Sequence, residues 1–425
     1  MKKIVNLLGH GLFYTLAISI ESFAPFILAP FLTHYLTVYD YGIWAIFQAA
    51  TAFLRPLLGL ALDDFVRMRY QDHAREHMVG YLIAIIALSG LLSLFIGTLA
   101  MVFAAPLSEV LHFPGEWLWV IVICAWLYAM FYMLLAYYQF ESQKSRFALI
   151  HLVQALGTLA VTVGLVMMGW GWQGAVIGKV AGLFMGAAIA WYWIATHFPE
   201  SSLTYFQFSR VRELWAFGLR YLPNGMVFVV MMLISRLMLA NMVGVEASSL
   251  FAVASLFPTV LIIVIQGYIF GWQPWCFQRL ARRKPEDKLE LLVGAGVFFA
   301  LLPVGALILA WGANWLGPFV IDKNFHDAFA YVLPLCLAMA AQGYYYFAQS
   351  ILQFYQRLGA LSTIACICMA ANAALNYVLI ERMGTLGSCW ALALSYSAGF
   401  LLTAAVAWVH LRKYIASFAK EGAHG

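Results

Sequence analysis

Charged residues are scarce in this sequence. Asp, Glu, Lys and Arg together make up 10% of its 425 residues, whereas apolar residues make up 64%. Soluble domains carry about 25% charged residues, so the composition excludes an ordinary soluble domain. The formal net charge is +5, and most of the basic residues lie in the segments between the apolar stretches. It gives no reason to expect a nucleic-acid partner.

The sequence also lacks the common motifs of nucleotide use and metal catalysis. It contains no GxxxxGK[ST] segment, so we expect no ATP hydrolysis by this chain. HExxH and Cys/His clusters are absent, and the six cysteines show no ligand spacing, so we predict no metal site and no cofactor. Acidic residues outside the apolar stretches are scattered rather than gathered into a carboxylate-rich site. We therefore predict that the chain is not an enzyme.

Long apolar stretches, by contrast, recur along the whole chain. Each can cross a hydrocarbon core of about 30 Å as a helix, and a backbone in lipid must satisfy its own hydrogen bonds. We predict an all-α polytopic membrane protein with twelve transmembrane helices. The first stretch carries Glu21 and is too long for a signal peptide, so we expect it to stay uncleaved. The predicted spans are 9–34, 42–64, 79–104, 117–139, 148–169, 174–195, 214–240, 249–273, 291–312, 329–354, 360–380 and 387–410.

The basic residues predict the orientation in the membrane. Cytoplasmic segments carry an excess of Lys and Arg, and with both termini on one side, eighteen of the 24 basic residues fall on that side. Only Lys323 and Arg382 fall in the opposite loops. Both termini are therefore predicted to be cytoplasmic. The eighteen are Lys2, Lys3, Arg67, Arg69, Arg75, Lys144, Arg146, Arg210, Arg212, Arg279, Arg282, Arg283, Lys284, Lys288, Arg357, Arg412, Lys413 and Lys420.

The chain divides into two halves of six predicted helices. The stretch "THFPESSLTYFQFSRVREL" separates the sixth from the seventh, and we predict an N-terminal lobe, 1–207, and a C-terminal lobe, 208–425. A weak internal repeat supports this division, because "GWQG" at 171–174 and "GTLG" at 384–387 each enter the last helix of their half. The pattern suggests two parallel repeats related by an axis along the membrane normal, a plan that transporters use.

Four basic residues fall inside the predicted spans and are the candidate binding residues. A charge at the centre of a transmembrane helix costs about 2.5–3.5 kcal/mol, so these side chains need paired or hydrated surroundings. Three of them lie nearer the helix ends. Their side chains could either extend to the membrane surface or line a cavity. The four are Arg55, Lys179, Arg220 and Arg236.

Arg55 is the deepest of the four. It lies about 20 Å into the second predicted helix at 1.5 Å per residue, too far from either surface to reach water easily. Two interpretations stay open at this point. Arg55 either lines a central cavity and binds an anion, or it forms a structural ion pair with Glu21 of the adjacent helix.

The tenth predicted helix carries an uncharged polar stripe. Its residues follow one another at steps of four, three and four, so they share one helix face. Because glutamines in lipid are costly unless they are paired, the stripe either bonds to neighbouring helices or forms a wall suited to sugar hydroxyls. Tyr128 and Tyr132 in the fourth helix are interpreted as packing or interface residues. The stripe consists of Gln342, Tyr346, Gln349 and Gln353.

Several segments resemble a known transporter family. The segment "AANAALNYVLIERMGTLGSCWALALSYSAG" (370–399) is similar to an Asn-x-x-Leu-Asn, Gly-x-x-Gly and Ser-Tyr pattern of the Wzx-type flippases. These are the polysaccharide transport proteins of the multidrug/oligosaccharidyl-lipid/polysaccharide exporter superfamily. "LTHYLTVYDYGIWA" and "ISRLMLANMVGVEASSLFAVA" resemble two further family segments. The second of these often carries an Asp-Arg pair, where this chain has Ser235 and Arg236, which puts carboxylate-dependent ion coupling there in doubt. The matching motif residues are Asn372, Leu375, Asn376, Gly384, Gly387, Ser395 and Tyr396.

The resemblance implies two six-helix bundles of the MATE/MurJ type around a cationic cavity. It implies that an undecaprenyl-pyrophosphate-linked oligosaccharide, an O-antigen or related repeat unit, crosses the bacterial inner membrane by alternating access. The four cations would neutralise the pyrophosphate, the polar stripe would face sugars, and Glu21 would be a charge partner or coupling residue. A polysaccharide polymerase complex is a candidate partner. The alternatives are a cation-coupled drug or metabolite exporter and a membrane-embedded glycan polymerase or ligase.

Overall fold

The computed structural model describes residues 25–60, 62–69, 75–141, 143–197, 208–282, 285–355 and 357–421. Fourteen α-helices and two short 3₁₀ turns occupy nearly all of them, and these residues contain no β-strand. The first nine helices are α1 (25–35), α2 (Val38–Gly59), α3 (Leu62–Arg69), α4 (Arg75–Val102), α5 (Ala104–Leu111), α6 (Leu118–Phe140), α7 (Lys144–Met167), α8 (Gly171–His197) and α9 (Phe208–Met242). The last five are α10 (Val245–Arg282), α11 (Pro285–Val320), α12 (Phe329–Phe354), α13 (Leu358–Met383) and α14 (Thr385–Glu421).

The apolar helices make this a multi-pass membrane protein, as predicted. Within the described residues, eight helices have the length and composition to cross a membrane, and a bent pair in α10 adds a ninth if it is one span. The first predicted span, 9–34, lies mostly outside these residues. Gln48 and Arg55 lower the hydropathy of α2, and the apolar part of α9 is the shorter segment Met226–Met242. Twelve spans and cytoplasmic termini stay predictions.

The chain folds into two compact units, Met1–Asn241 and Met242–Gly425. In the N-terminal unit, α6 is the most enclosed candidate span, since 72% of its most apolar window is buried against 22% for α4. In the C-terminal unit, α12 has the corresponding position, with 72% buried against 17% for α11. Each unit is therefore built around one central helix whose side chains are mostly withdrawn from lipid.

Helix α9 packs with the N-terminal unit, although the sequence division placed it in the second lobe. Tyr81 Oη donates to the Glu213 carboxylate at 2.8 Å near one end of α9, and Asn241 Nδ2 donates to the Val110 carbonyl at 2.8 Å at the other. Between them, a Cβ on Gly218 would lie 2.7 Å from Leu60 Cβ, so only glycine permits this approach. The lobes 1–207 and 208–425 remain a prediction about the sequence repeat.

Glycines allow the last two helices of each predicted half to pack closely. In α8, side chains at Gly178 and Gly182 would overlap the hydroxyls of Thr162 and Thr158 on α7. Between α13 and α14, a side chain at Gly387 would overlap the Leu379 carbonyl. Small residues let backbones approach in lipid, where dispersion rather than the hydrophobic effect holds helices together. The similar construction of the two pairs supports the internal repeat.

The asparagine and serine residues of the family-like segment hold α13 to α14. Asn372 Nδ2 donates to Ser395 Oγ at 3.3 Å, and Ser388 Oγ donates to Asn376 Oδ1 at 2.7 Å. Asn376 Nδ2 also donates to Asn372 Oδ1 at 3.1 Å. All four residues are buried. The motif residues Asn372, Asn376 and Ser395 and the neighbouring Ser388 are therefore structural, because their polar groups satisfy one another inside the helix pair.

Candidate functional site

The N-terminal unit gathers two of the predicted cations around a pair of tyrosines. The guanidinium carbon of Arg55 on α2 lies 4.6 Å from the ring centroid of Tyr132 and 5.2 Å from that of Tyr128. The tyrosines are one turn apart on α6, and their ring centroids are 5.3 Å apart. Since α6 is the central helix of its unit, its tyrosine rings contact Arg55 of α2 within that unit.

Lys179 joins the same group from a third helix. Its Nζ on α8 lies 4.8 Å from the Tyr128 ring centroid, so this one ring is shared by Arg55 and Lys179. We call Arg55, Tyr128, Tyr132 and Lys179 the cation–tyrosine cluster. All four side chains are partly exposed rather than sealed in the core. The cluster is therefore accessible to a ligand or to water.

The cluster has an electropositive character that its own helices do not cancel. Neither α6 nor α8 contains Asp or Glu, and in α2 the acidic residue is Asp40 in the first turn, which accepts a hydrogen bond from Thr37 Oγ1 at 2.8 Å. The negative face of an aromatic ring attracts a cation by about 0.5–2 kcal/mol, much less than a carboxylate does in a low-dielectric site. Glu21, the predicted charge partner, lies outside the described residues.

Arg236 lies elsewhere on the same unit. Its Nη1 donates to the Ala45 carbonyl of α2 at 2.8 Å, and its Nε is buried with no hydrogen-bond partner in the described part of the chain. Ala45 precedes Arg55 by about 15 Å along α2 at 1.5 Å per residue. Arg236 thus contacts the helix of the cluster at a different depth. Arg220 is in α9, and its side chain lies outside the described part of the structure.

The polar stripe of α12 is partly used to bond helices. Gln353 Oε1 accepts a hydrogen bond from Gln273 Nε2 of α10 at 3.0 Å, and buried Gln342 donates to Tyr346 Oη at 3.5 Å. Gln349 Oε1 is buried, with no hydrogen-bond partner among the described residues. The arrangement favours helix pairing for Gln353. Tyr346, Gln349 and Gln353 are all partly exposed. Of these, Gln353 bonds to another helix, whereas Tyr346 and Gln349 could still face a ligand.

Sequence reasoning did not predict the cation contacts of the two tyrosines or the contact of Gln273. It interprets Tyr128 and Tyr132 as packing or interface residues, because their spacing of four residues does not reveal what lies opposite. The available signal was depth, since both tyrosines fall near the middle of a predicted span, as Arg55 does. For Gln273, the signal was that this glutamine ends a predicted span, 249–273, just as Gln353 lies at the end of another, 329–354.

The fold is shared with solved membrane transporters. An inward-facing multidrug resistance MATE family transporter of the MOP superfamily has a TM-score of 0.67 at 12% identity, over 94% of this chain and 99% of that chain. The lipid II flippase MurJ has a TM-score of 0.64 at 13% identity, over 91% of this chain and 86% of that chain. A variant of the Vibrio cholerae MATE transporter VcmN has a TM-score of 0.61 at 13% identity, over 98% and 97%. At these identities the similarity establishes the fold alone.

The sequence itself establishes the family. A family model described as polysaccharide biosynthesis protein matches residues 7–280, which is well over half of the chain, so the chain belongs to this family. This match confirms the family resemblance stated from the sequence, although the 370–399 segment that carried much of it lies outside the matched residues. Among curated proteins, no match was found.

Proposed function

We propose that this protein is a flippase that moves an undecaprenyl-pyrophosphate-linked oligosaccharide across the bacterial inner membrane. The cargo would be an O-antigen or related polysaccharide repeat unit. The observation that carries the proposal is the cation–tyrosine cluster, which holds Arg55 and Lys179 against one ring inside apolar helices. A diphosphate that crosses a bilayer needs fixed counter-cations, because an uncompensated charge in hydrocarbon is expensive.

The two cations suit the two phosphates in different ways. The planar guanidinium of Arg55 can donate two parallel hydrogen bonds to phosphate oxygens, whereas the Lys179 ammonium acts as a point charge. The aromatic faces hold both cations in place before the ligand arrives. An incoming diphosphate would meet both cations beside the same pair of rings.

The proposal extends to the rest of the transport cycle. In the proposal, twelve spans form the lobes 1–207 and 208–425, with both termini in the cytoplasm, and the lobes alternate access to the diphosphate site. Arg220 and Arg236 extend the cationic path, and the exposed part of the α12 stripe meets sugar hydroxyls. The isoprenoid chain stays in lipid throughout. A polymerase complex would receive the glycan at the outer face.

A cation-coupled drug or metabolite exporter is the second candidate, because MATE multidrug transporters share the fold. Such a site needs acidic residues to bind the coupling cation, and α6 and α8 supply none. Drug susceptibility of an efflux-deficient strain that expresses the protein separates the two candidates. Raised resistance to several unrelated drugs would favour the exporter.

The test of the flippase is Arg55→Ala in cells that depend on this chain for surface glycan. We expect surface glycan to be lost, and lipid-linked glycan to accumulate, while the protein level and membrane insertion persist. The matched control is Arg146→Ala, since Arg146 lies 5.3 Å from the Trp193 ring centroid, outside the cluster. Normal surface glycan in Arg55→Ala cells would remove the cluster from the mechanism.

A further inference from the structure

Helix α10 of the C-terminal unit has a polar side and an apolar side. Thr259, Gln266 and Gln273 follow one another at steps of seven, so they share one helix face with about 20° of drift per step. Gln266 is exposed, and the other two are partly exposed. Val264, 59% exposed, lies about 160° around the helix from Gln266 at 3.6 residues per turn. The two accessible sides of α10 therefore differ in polarity.

The polar side of α10 runs beside the polar stripe of α12. A Cβ added to Gly343 of α12 would lie 2.9 Å from Ile265 Cδ1 of α10, and farther along both helices Gln273 bonds to Gln353 at 3.0 Å. Residue numbers rise together between these two contacts, so the helices are parallel. Gln266 of α10 and Tyr346 of α12 consequently lie at the same level to within about one helix turn.

Gln266 and Gln349 lie on the same side of the α10–α12 pair. Around α10, Gln266 is about 100° from Ile265 in one rotational sense, and around α12, Gln349 is about 120° from Gly343 in the opposite sense. On parallel helices that face each other, opposite rotations lead to the same side. We call the polar residues that share this side the amide–hydroxyl face. They are Thr259, Gln266, Tyr346 and Gln349.

The amide–hydroxyl face offers hydrogen bonds without charge. Helix α12 contains no charged residue, and α10 has none between Glu246 and Arg279. Gln349 Oε1 is buried and has no hydrogen-bond partner in the part of the chain that the structure describes, which is a costly state for an acceptor. Thr259 Oγ1 donates to the Ser255 carbonyl at 3.0 Å and keeps its capacity to accept. The face therefore suits a neutral ligand that has donors.

The depth of Gln266 also favours a polar ligand. Gln266 lies seven residues, about 10 Å, before the end of the predicted span 249–273 at 1.5 Å per residue. Its side chain is too short to reach the membrane surface from there. An exposed amide in hydrocarbon loses its hydrogen bonds. At this depth the amide needs water or a polar ligand on the open side of α10.

We infer that the amide–hydroxyl face binds sugar hydroxyls of the carried glycan. The inference rests on the proposed function, and it adds residues of α10 to the exposed part of the α12 stripe. A sugar hydroxyl both donates and accepts, as a carboxamide does, so sugar can replace water at the face bond for bond. An apolar drug would leave the amides without partners. Neutral hydrogen bonds are weak enough for a cargo that has to leave.

Thiol labelling of the full-length protein tests whether the face is hydrated. Gln266→Cys and Val264→Cys are compared in a Cys366→Ala background, because Cys366 is exposed. The protein is held in nanodiscs of phosphatidylethanolamine and phosphatidylglycerol, where a charged methanethiosulfonate reaches both membrane surfaces. The thiolate is the reactive form and needs water, so we expect Gln266→Cys to react about tenfold faster than Val264→Cys. Equal rates overturn the inference, because the face would then be turned to lipid.

Protection by ligand tests whether the hydrated face binds sugar. Thr259→Cys is the reporter, and the nanodiscs contain either undecaprenyl diphosphate or the same lipid bearing one N-acetylglucosamine. We expect the sugar-bearing lipid to slow labelling and the sugar-free lipid to leave the rate unchanged. Adding Gln266→Leu should weaken this protection about two- to tenfold in lipid concentration, the equivalent of one neutral hydrogen bond. Val264→Ala, on the apolar side of α10, should leave it unchanged.

Two results would overturn the sugar assignment. One is equal protection by the two lipids, and the other is full protection by the sugar-bearing lipid in the Gln266→Leu variant. Both readouts depend on the sugar and not on the diphosphate. A failure here is therefore distinct from a failure of the flippase, which the Arg55→Ala surface-glycan assay reports by itself.

Discussion

The central helices of the two units carry different kinds of polar group. In the N-terminal unit, α6 presents Tyr128 and Tyr132 to cations from α2 and α8. In the C-terminal unit, α12 presents neutral amides, and Gln353 bonds to Gln273 of α10 at 3.0 Å. Amides donate and accept, so two of them can satisfy each other between helices. Arginine and lysine only donate, so two cations cannot satisfy each other as two amides do.

This difference is the reason that we propose the N-terminal cluster, rather than the α12 stripe, as the diphosphate site. Burying an amide pair costs little once the hydrogen bond is made. Arg55 and Lys179 share one tyrosine ring, so two like charges lie against the same side chain. In the proposed function, the diphosphate compensates both of them. The experiments that follow are ordered from the largest expected effect to the smallest.

Replacing Arg55 with glutamine gives the N-terminal site the chemistry of the C-terminal stripe. We expect Arg55→Gln to abolish export of surface glycan, because an amide is neutral and cannot compensate a diphosphate. Arg55→Lys should retain part of the activity, since it keeps the charge but loses the two-pronged hydrogen bonding. Glycan at the cell surface, measured against equal amounts of membrane protein, is the readout. Full export by Arg55→Gln would mean that charge at this position is unnecessary.

Altering Tyr128 tests whether the ring holds both cations. Tyr128→Leu removes the aromatic face shared by Arg55 and Lys179, and at about 0.5–2 kcal/mol for each contact we expect export to fall several-fold to more than tenfold. Tyr128→Phe keeps the face and should stay close to the unchanged protein. The rate of glycan appearance after induction measures the difference. If the leucine and phenylalanine variants behave alike, the ring is not what positions the cations.

Breaking the amide pair of the C-terminal unit should have the smallest effect. Gln353→Ala and Gln273→Ala each remove one partner of the α10–α12 hydrogen bond. Hydrogen bonds between membrane helices average about 0.6 kcal/mol and reach about 1.7 kcal/mol, so we expect a coupling of that size in a double-mutant cycle of unfolding in detergent, with export preserved. Loss of export without loss of stability would instead place Gln353 in the sugar path.

Some features could be predicted because they depend on local sequence. The apolar runs predicted long helices, and α4, α6, α7, α8, α11, α12, α13 and α14 each contain a candidate span. The interior position of Arg55 followed from counting residues within one helix. The family resemblance was also correct, and it rested on short motifs within helices rather than on contacts between them.

Other features depend on how helices meet, and the sequence pattern alone did not predict them. Arg55 and Lys179 could be named as candidates, but the ring that joins them lies on α6, far from both in the chain. Helix α9 was placed in the second lobe because a polar stretch precedes it, whereas Gly218 and Leu60 pack it against the first unit. The partner of Gln353 was likewise hidden, since Gln273 is on another helix.

By itself, the sequence determined that this chain resides in a membrane, that its spans are helical, and that a few charges would have to be accommodated inside them. These results follow from composition and period, because hydrocarbon leaves a buried backbone no alternative to internal hydrogen bonds. Only the tertiary structure decided which polar groups satisfy each other and which remain around an aromatic ring. That decision depends on side chains from different helices coming within a few ångströms, and no pattern along one helix encodes such an encounter.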